Sequence, residues 1–172
     1  MNTLNGKVAF ITGARRGIGG AIAKRFAAEG ACVVMGASGI SNSGGGTGPD
    51  IGEAVETINQ SGGKAAFVVA DLSRESERAD LITRAQGHFG PLDILAALDR
   101  YTEALAHEVA ADSVFINTLA PESIVLTSGA EFVRDIARKR PDMLEPVEMM
   151  AEAALALCSH SITGQVCYSR QV

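Results

Sequence analysis

The stretch VAFITGARRGIGG, Val8 to Gly20, decides the fold. Its first part, KVAFIT, is a short apolar run of strand character, and beyond it Ile18, Ile22 and Phe26 recur at the four-residue spacing of a helix that ends at Gly30. Between strand and helix stand Gly13, Gly17 and Gly19. A glycine at Gly13 lets the chain reverse sharply. Side chains missing at Gly17 and Gly19 leave room where backbone meets a pyrophosphate, and the first N–H groups of the helix then face the anion.

Outward from this unit, apolar runs alternate with helical patterns. ACVVM is a second strand, residues 51–60 a helix that stops at SGG, and KAAFVVAD a third strand. Ser76 to Gly87 reads as one helix, and PLDIL opens a fourth strand. Leu98, Tyr101, Leu105 and Val109 fall on one face of the next helix. SVFINTLAP is a strand ending at Pro121, Pro146 to Cys158 a helix with proline near its start, and GQVCYS a last strand. This order predicts a single α/β domain over residues 1–172: a Rossmann-like, doubly wound parallel sheet in three αβα layers with about six strands. Residues 36–50, GASGISNSGGGTGPD, read as a flexible Gly/Ser loop at the end of the second strand, where this architecture faces a cofactor ribose.

Composition narrows the partners. A net charge of −5 removes the electrostatic reason to expect nucleic acid or an anionic membrane and favours a small-molecule ligand. The apolar run Val8–Ile11 is too brief for a signal-peptide core or a membrane span, so a cytoplasmic protein is expected. Cys32, Cys158 and Cys167 lack C-x-x-C spacing, and the three histidines are scattered, so neither disulfides nor a metal site is expected.

The turn Thr12-Gly13-Ala14-Arg15-Arg16-Gly17-Ile18-Gly19, a T-G-x-x-x-G-x-G pattern, resembles that of the short-chain dehydrogenase/reductase family. Further landmarks follow in family order. Asp71-Leu72 resembles the acidic pair that meets the adenine ring, and GPLDIL the lead into the family's Asn-Asn-Ala-Gly strand. INTLAPESIVLT resembles the Asn-x-x-x-Pro-Gly-x-x-x-Thr segment that holds the nicotinamide carboxamide, with Asn117, Pro121, Ile124 and Thr127 as the matches and Glu122 in place of glycine. The resemblance implies a dinucleotide cofactor and alcohol/carbonyl interconversion. An acid normally accepts the ribose hydroxyls of NAD beyond the second strand. None stands between Met35 and Gly39, whereas Ser38 can donate a hydrogen bond and Arg15 and Arg16 can supply positive charge. NADP(H) is therefore favoured over NAD(H).

The family's reacting residues are a Tyr, a Lys four residues later that lowers its pKa, and a Ser on the preceding strand. Tyr101 is followed at that spacing by Leu105 and Tyr168 by Val172, and Asn-Asn-Ala-Gly is missing after Leu95. No catalytic residue can be assigned. LDIL resembles the start of the family's fourth strand, but AALDRYTEALAHEVA resembles the helix after Tyr-x-x-x-Lys, as though one αβ unit were deleted near residues 95–96. Such a loss leaves strand, helix, strand, a connection that can still cross over right-handed, so that the next strand pairs beside the fourth. Three readings stay open. One is a family member that keeps its cofactor half without hydride transfer. Another is a non-catalytic nucleotide-binding or interaction module. The third is a longer active dehydrogenase of which this sequence lacks a part, and only then is a small alcohol or carbonyl substrate implied. A homo-oligomer also stays open, since apolar surface uncovered by the deletion favours self-association.

Overall fold

The computed structural model describes residues 2–40, 49–96, 115–127, 133–159 and 166–170, without the side chains of 115–118, 159 and 166. Its first half alternates β1 (Val8–Ile11), α1 (Gly17–Ala28), β2 (Cys32–Ala37), α2 (Ile51–Gln60) and β3 (Lys64–Val69). The short α3 (Glu75–Arg78), α4 (Leu81–Phe89) and β4 (Ile94–Ala96) follow. Beyond them come β5 (Phe115–Ala120), β6 (Ile124–Val125), α5 (Arg134–Lys139), a 3-10 turn over Pro141–Met143, β7 (Leu144–Glu145), α6 (Val147–Ser159) and β8 (Val166–Tyr168).

Among the described residues six strands form one sheet in the order β3-β2-β1-β4-β5-β8, every pair parallel. Burial on both faces explains why its strands read as unbroken apolar runs. Ala9, Ile11, Val33 and Met35 meet α1, α2 and α6 through Phe26, Ile51, Ile58 and Leu155. Their neighbours Val8, Phe10 and Val34 point the other way, toward Leu81 and Ala85 of α4. This is the predicted α/β, doubly wound, three-layer architecture. Strand order reverses beside β1, with β2 on one side and β4 on the other, and in such sheets the carboxyl ends of the strands at the reversal form the ligand crevice.

β5 pairs directly with β4 in the register Ile94↔Phe115, Leu95↔Ile116 and Ala96↔Asn117. The strand that follows β4 among the described residues thus lies beside it, the placement expected above. Leu95 and Ala96 both belong to β4. The helix expected around Leu98 to Val109 lies outside the described residues.

Two boundaries differ from expectation. The Gly/Ser loop begins later than residue 36, because Gly36 and Ala37 pair with Val68 and Val69 and extend β2. At its far end Asp50 and Glu53 close a capping box on α2. Ser76 to Gly87 is not one helix but two. Every residue of α3 (ESER) is polar and none is buried, and the segment is held by polar contacts: Glu77 Oε2 accepts the Asp71 N–H at 2.7 Å, and Arg78 donates to the Leu72 carbonyl at 2.6 Å. The chain then restarts as α4 so that Leu81 and Ala85 reach the core.

Candidate functional site

The glycine turn sits at the reversal of the sheet and is tied to both neighbouring strands. Thr12 N–H donates to the Ala96 carbonyl at the end of β4 (2.9 Å), and Ala14 N–H to the Gly36 carbonyl in β2 (3.0 Å). Gly13 and Gly17 have φ of 62° and 60°, a left-handed conformation that favours glycine. Gly19 serves packing. A Cβ there would lie 2.6 Å from the Gly13 carbonyl oxygen, so its bare backbone lets α1 start hard against its own turn. No side chain caps α1, and the N–H groups of a helix's first turn have no intrahelical acceptor, as an anion site requires.

Beside the turn, Gly13, Ser38, Ala70, Asp71 and Leu72 line a cavity of about 240 Å³ at the ends of β1, β2 and β3. Leu72 is exposed, an apolar plate available to a flat ring. The Asp71 carboxylate accepts the hydroxyl and N–H of Ser73 at 2.7 and 3.0 Å, and these bonds hold its pKa below the usual carboxylate range. Four predicted residues therefore meet here.

A second group gathers on the other side of the turn. Arg15, Arg16, Gly17 and Thr127 line a cavity of about 700 Å³ that runs along α1 between α2 and α6. Arg15 Nη1 is buried with no hydrogen-bond partner among the described residues. A Cβ on Gly17 would stand 3.3 Å from Thr127 Cβ, which places Thr127 over the turn. It does so although Thr127 is six residues past Pro121, one more than Pro-Gly-x-x-x-Thr allows. Ile18 and Gly19 face a small apolar cavity of about 50 Å³ with Leu119 and Cys158. Pro121 is exposed at the end of β5, and Ile124 lies in β6 paired with Leu144. The Asn117 side chain lies outside the described ones. The arginines and Ser38 are thus not brought into one cavity.

The loop after β5 has partners that no motif announces. Glu122 N–H donates to Ser169 Oγ at 3.1 Å and Ser123 N–H to Glu145 Oε2 at 3.3 Å. Among the described residues no group of three or more His, Cys, Asp or Glu could hold a metal, and no helix is long and apolar enough to cross a membrane.

The sequence profile of the short chain dehydrogenase family matches residues 7–98, more than half of the chain. The chain belongs to that family. Among curated dehydrogenases and reductases it is similar to glucose 1-dehydrogenase 2 of Bacillus subtilis, 40% identical over 108 residues that make up 62% of this chain and 39% of that protein. The matched part is about two-fifths of the length of such relatives, 42% and 39% in two of them. Solved structures of short-chain dehydrogenases share its fold. A 7α-hydroxysteroid dehydrogenase complexed with NADH and 7-oxo-glycochenodeoxycholic acid superposes with a TM-score of 0.79 at 22% identity, covering 97% of this chain and 94% of that one. A short chain dehydrogenase from Burkholderia cenocepacia in complex with NADP gives a TM-score of 0.76 at 20% identity, covering 96% and 97%.

Proposed function

We propose that this short-chain dehydrogenase binds a nicotinamide dinucleotide, NADP(H) in preference to NAD(H), and transfers no hydride. The observation that carries the binding half is the turn itself, with its left-handed Gly13 and Gly17 tied to β2 and β4 at the reversal of the sheet. The groups present fit the cofactor. The uncapped start of α1 suits the pyrophosphate, and the cavity of Gly13, Ser38, Asp71 and Leu72 suits the adenosine end. Ile124, Thr127 and Pro121 belong with the nicotinamide carboxamide by family resemblance. When bound, the cofactor would supply or accept the hydride of an alcohol/carbonyl interconversion.

For NADP(H) speaks the missing acid between Met35 and Gly39, together with Arg15 Nη1, which has no partner among the described residues and which a 2′-phosphate would provide with an acceptor. Arg15 and Ser38 line different cavities on either side of the turn, so each supports this reading on its own. Against catalysis speaks the absence of Tyr-x-x-x-Lys from the sequence. The family profile ends at residue 98, and AALDRYTEALAHEVA, which starts at Ala96, resembles the helix after the family's Tyr-x-x-x-Lys. That combination supports the loss of an internal αβ unit near residues 95–96. An alcohol or carbonyl substrate belongs only to a form that has the missing segment.

Thermal unfolding tests the reading. A ligand at one hundred times its Kd stabilises by about 2.7 kcal/mol, which at roughly 2–4 °C per kcal/mol raises Tm by about 5–10 °C. NADPH should do this at lower concentration than NADH. No shift with either dinucleotide would refute binding.

A further inference from the structure

Only three polar or charged residues are buried among the described ones: Glu29, Glu145 and Ser169. Glu29 fastens the N-terminal segment to α1. The other two, which come from separate elements, reach the same short loop. Ser169, 4% exposed just past β8, accepts the Glu122 N–H, and its own N–H donates to the Ala120 carbonyl at 3.0 Å. Glu145, 3% exposed in β7, accepts the Ser123 N–H, while its strand pairs Ile124↔Leu144 and Val125↔Glu145. Two consecutive amides are thus each taken by a buried side chain, 47 and 22 residues away in sequence.

Burying a carboxylate is costly unless it is bonded, and Glu145 Oε1 has no partner among the described residues. An apolar residue would fill the volume at lower cost, so the retained carboxylate points to a task for Oε2. Successive free N–H groups would otherwise form an anion-binding concavity. Here the chain fills that concavity itself, leaving the segment to present Thr127 against Gly17.

We propose that Ser169 and Glu145 are positioning residues that clamp the loop Pro121–Thr127 from behind, holding Thr127 over the glycine turn and thereby setting affinity for the nicotinamide half of the dinucleotide. The affinity part rests on the cofactor reading above, whereas the clamp itself does not. Neither side chain lines the two cavities assigned to the cofactor.

The test uses the full chain with Ser169→Ala and Glu145→Ala, and Ser169→Thr and Glu145→Gln as variants that keep the acceptor. Two probes are titrated: NADPH, and adenosine 2′,5′-bisphosphate, which lacks the nicotinamide half. Losing one buried hydrogen bond predicts NADPH binding weakened about tenfold in each alanine variant, with the bisphosphate unchanged and near-native NADPH binding in the Thr and Gln variants. Amide hydrogen exchange at Glu122 and Ser123 is read in parallel without ligand. Ser169→Ala should speed exchange at Glu122, and Glu145→Ala at Ser123. Equal weakening of both probes, unchanged NADPH affinity, or alanine-like behaviour of the Thr and Gln variants would overturn the positioning role. Unprotected amides in the parent chain would overturn the clamp. Failure of the parent to bind either probe would refute the cofactor reading and with it the affinity role, while exchange would still decide the clamp.

Discussion

Replacing Gly19 by alanine separates the packing duty of this glycine from helix propensity. Inside a helix alanine is favoured over glycine by about 0.8–1 kcal/mol, so on propensity alone Gly19→Ala would stabilise α1. The added Cβ, however, would lie 2.6 Å from the Gly13 oxygen, 2.9 Å from the Gly13 carbonyl carbon and 3.1 Å from Ala14 Cα. All three are backbone atoms of the turn, which cannot rotate aside, and overpacking of this kind costs about 1–3 kcal/mol. A contact at 2.6 Å lies in the upper part of that range, about 2–3 kcal/mol, so the net loss expected is about 1–2 kcal/mol, a Tm lower by roughly 2–8 °C. Gly20→Ala is the control. Its nearest foreign atom is 3.3 Å away, so much of the propensity gain should survive. Urea unfolding with both variants at constant m reads the difference directly. Because the displaced atom is the Gly13 carbonyl, NADPH affinity should fall in Gly19→Ala more than in Gly20→Ala. A Gly19→Ala protein as stable as the parent, or less affected than Gly20→Ala, would refute the packing argument.

Other expectations concern groups with shifted pKa values. Thr3 donates its N–H and hydroxyl to Glu29 Oε2, both at 2.9 Å, and Arg25 adds a guanidinium contact; the Thr3 backbone bond first, then Arg25, pull the Glu29 pKa down to about 2. A folded value below the unfolded one means that this stabilisation is complete above about pH 4.5 and fades as pH falls toward 2. Denaturation midpoints of the parent and Glu29→Gln should therefore converge in that window, and a gap that stays constant would count against the assignment. Burial pushes the Cys158 thiol up to about 12, so it should resist alkylation at neutral pH until the chain unfolds. Peptide mapping that finds Cys158 labelled rapidly in the native protein would contradict its placement.

The strands of the parallel sheet were legible because β1 and β2 are buried on both faces and so appear as unbroken apolar runs between glycine-rich or polar breaks. The turn was legible because Gly13 and Gly17 meet a backbone requirement that leaves a spacing in the chain. The break between α3 and α4 was not, since ESER has no apolar stripe whose phase would reveal it. β6 and β7 are two residues each, too short for any period. Ser169 and Glu145 escaped for a different reason: one serine and one glutamate carry no pattern, and only the fold shows that both reach the amides of neighbouring residues. Arg15 and Arg16 were legible as positive charge in the turn, but their cavity on the α6 side of it, apart from Ser38, was not.

The central claim is that a cofactor site persists in a chain without the residues that would use it. NADPH fluorescence, followed with a panel of aldehydes and ketones present, reads both halves together. The account predicts a saturable change in emission at one site per chain and no consumption of NADPH. No saturable change, or carbonyl-dependent loss of NADPH, would contradict it.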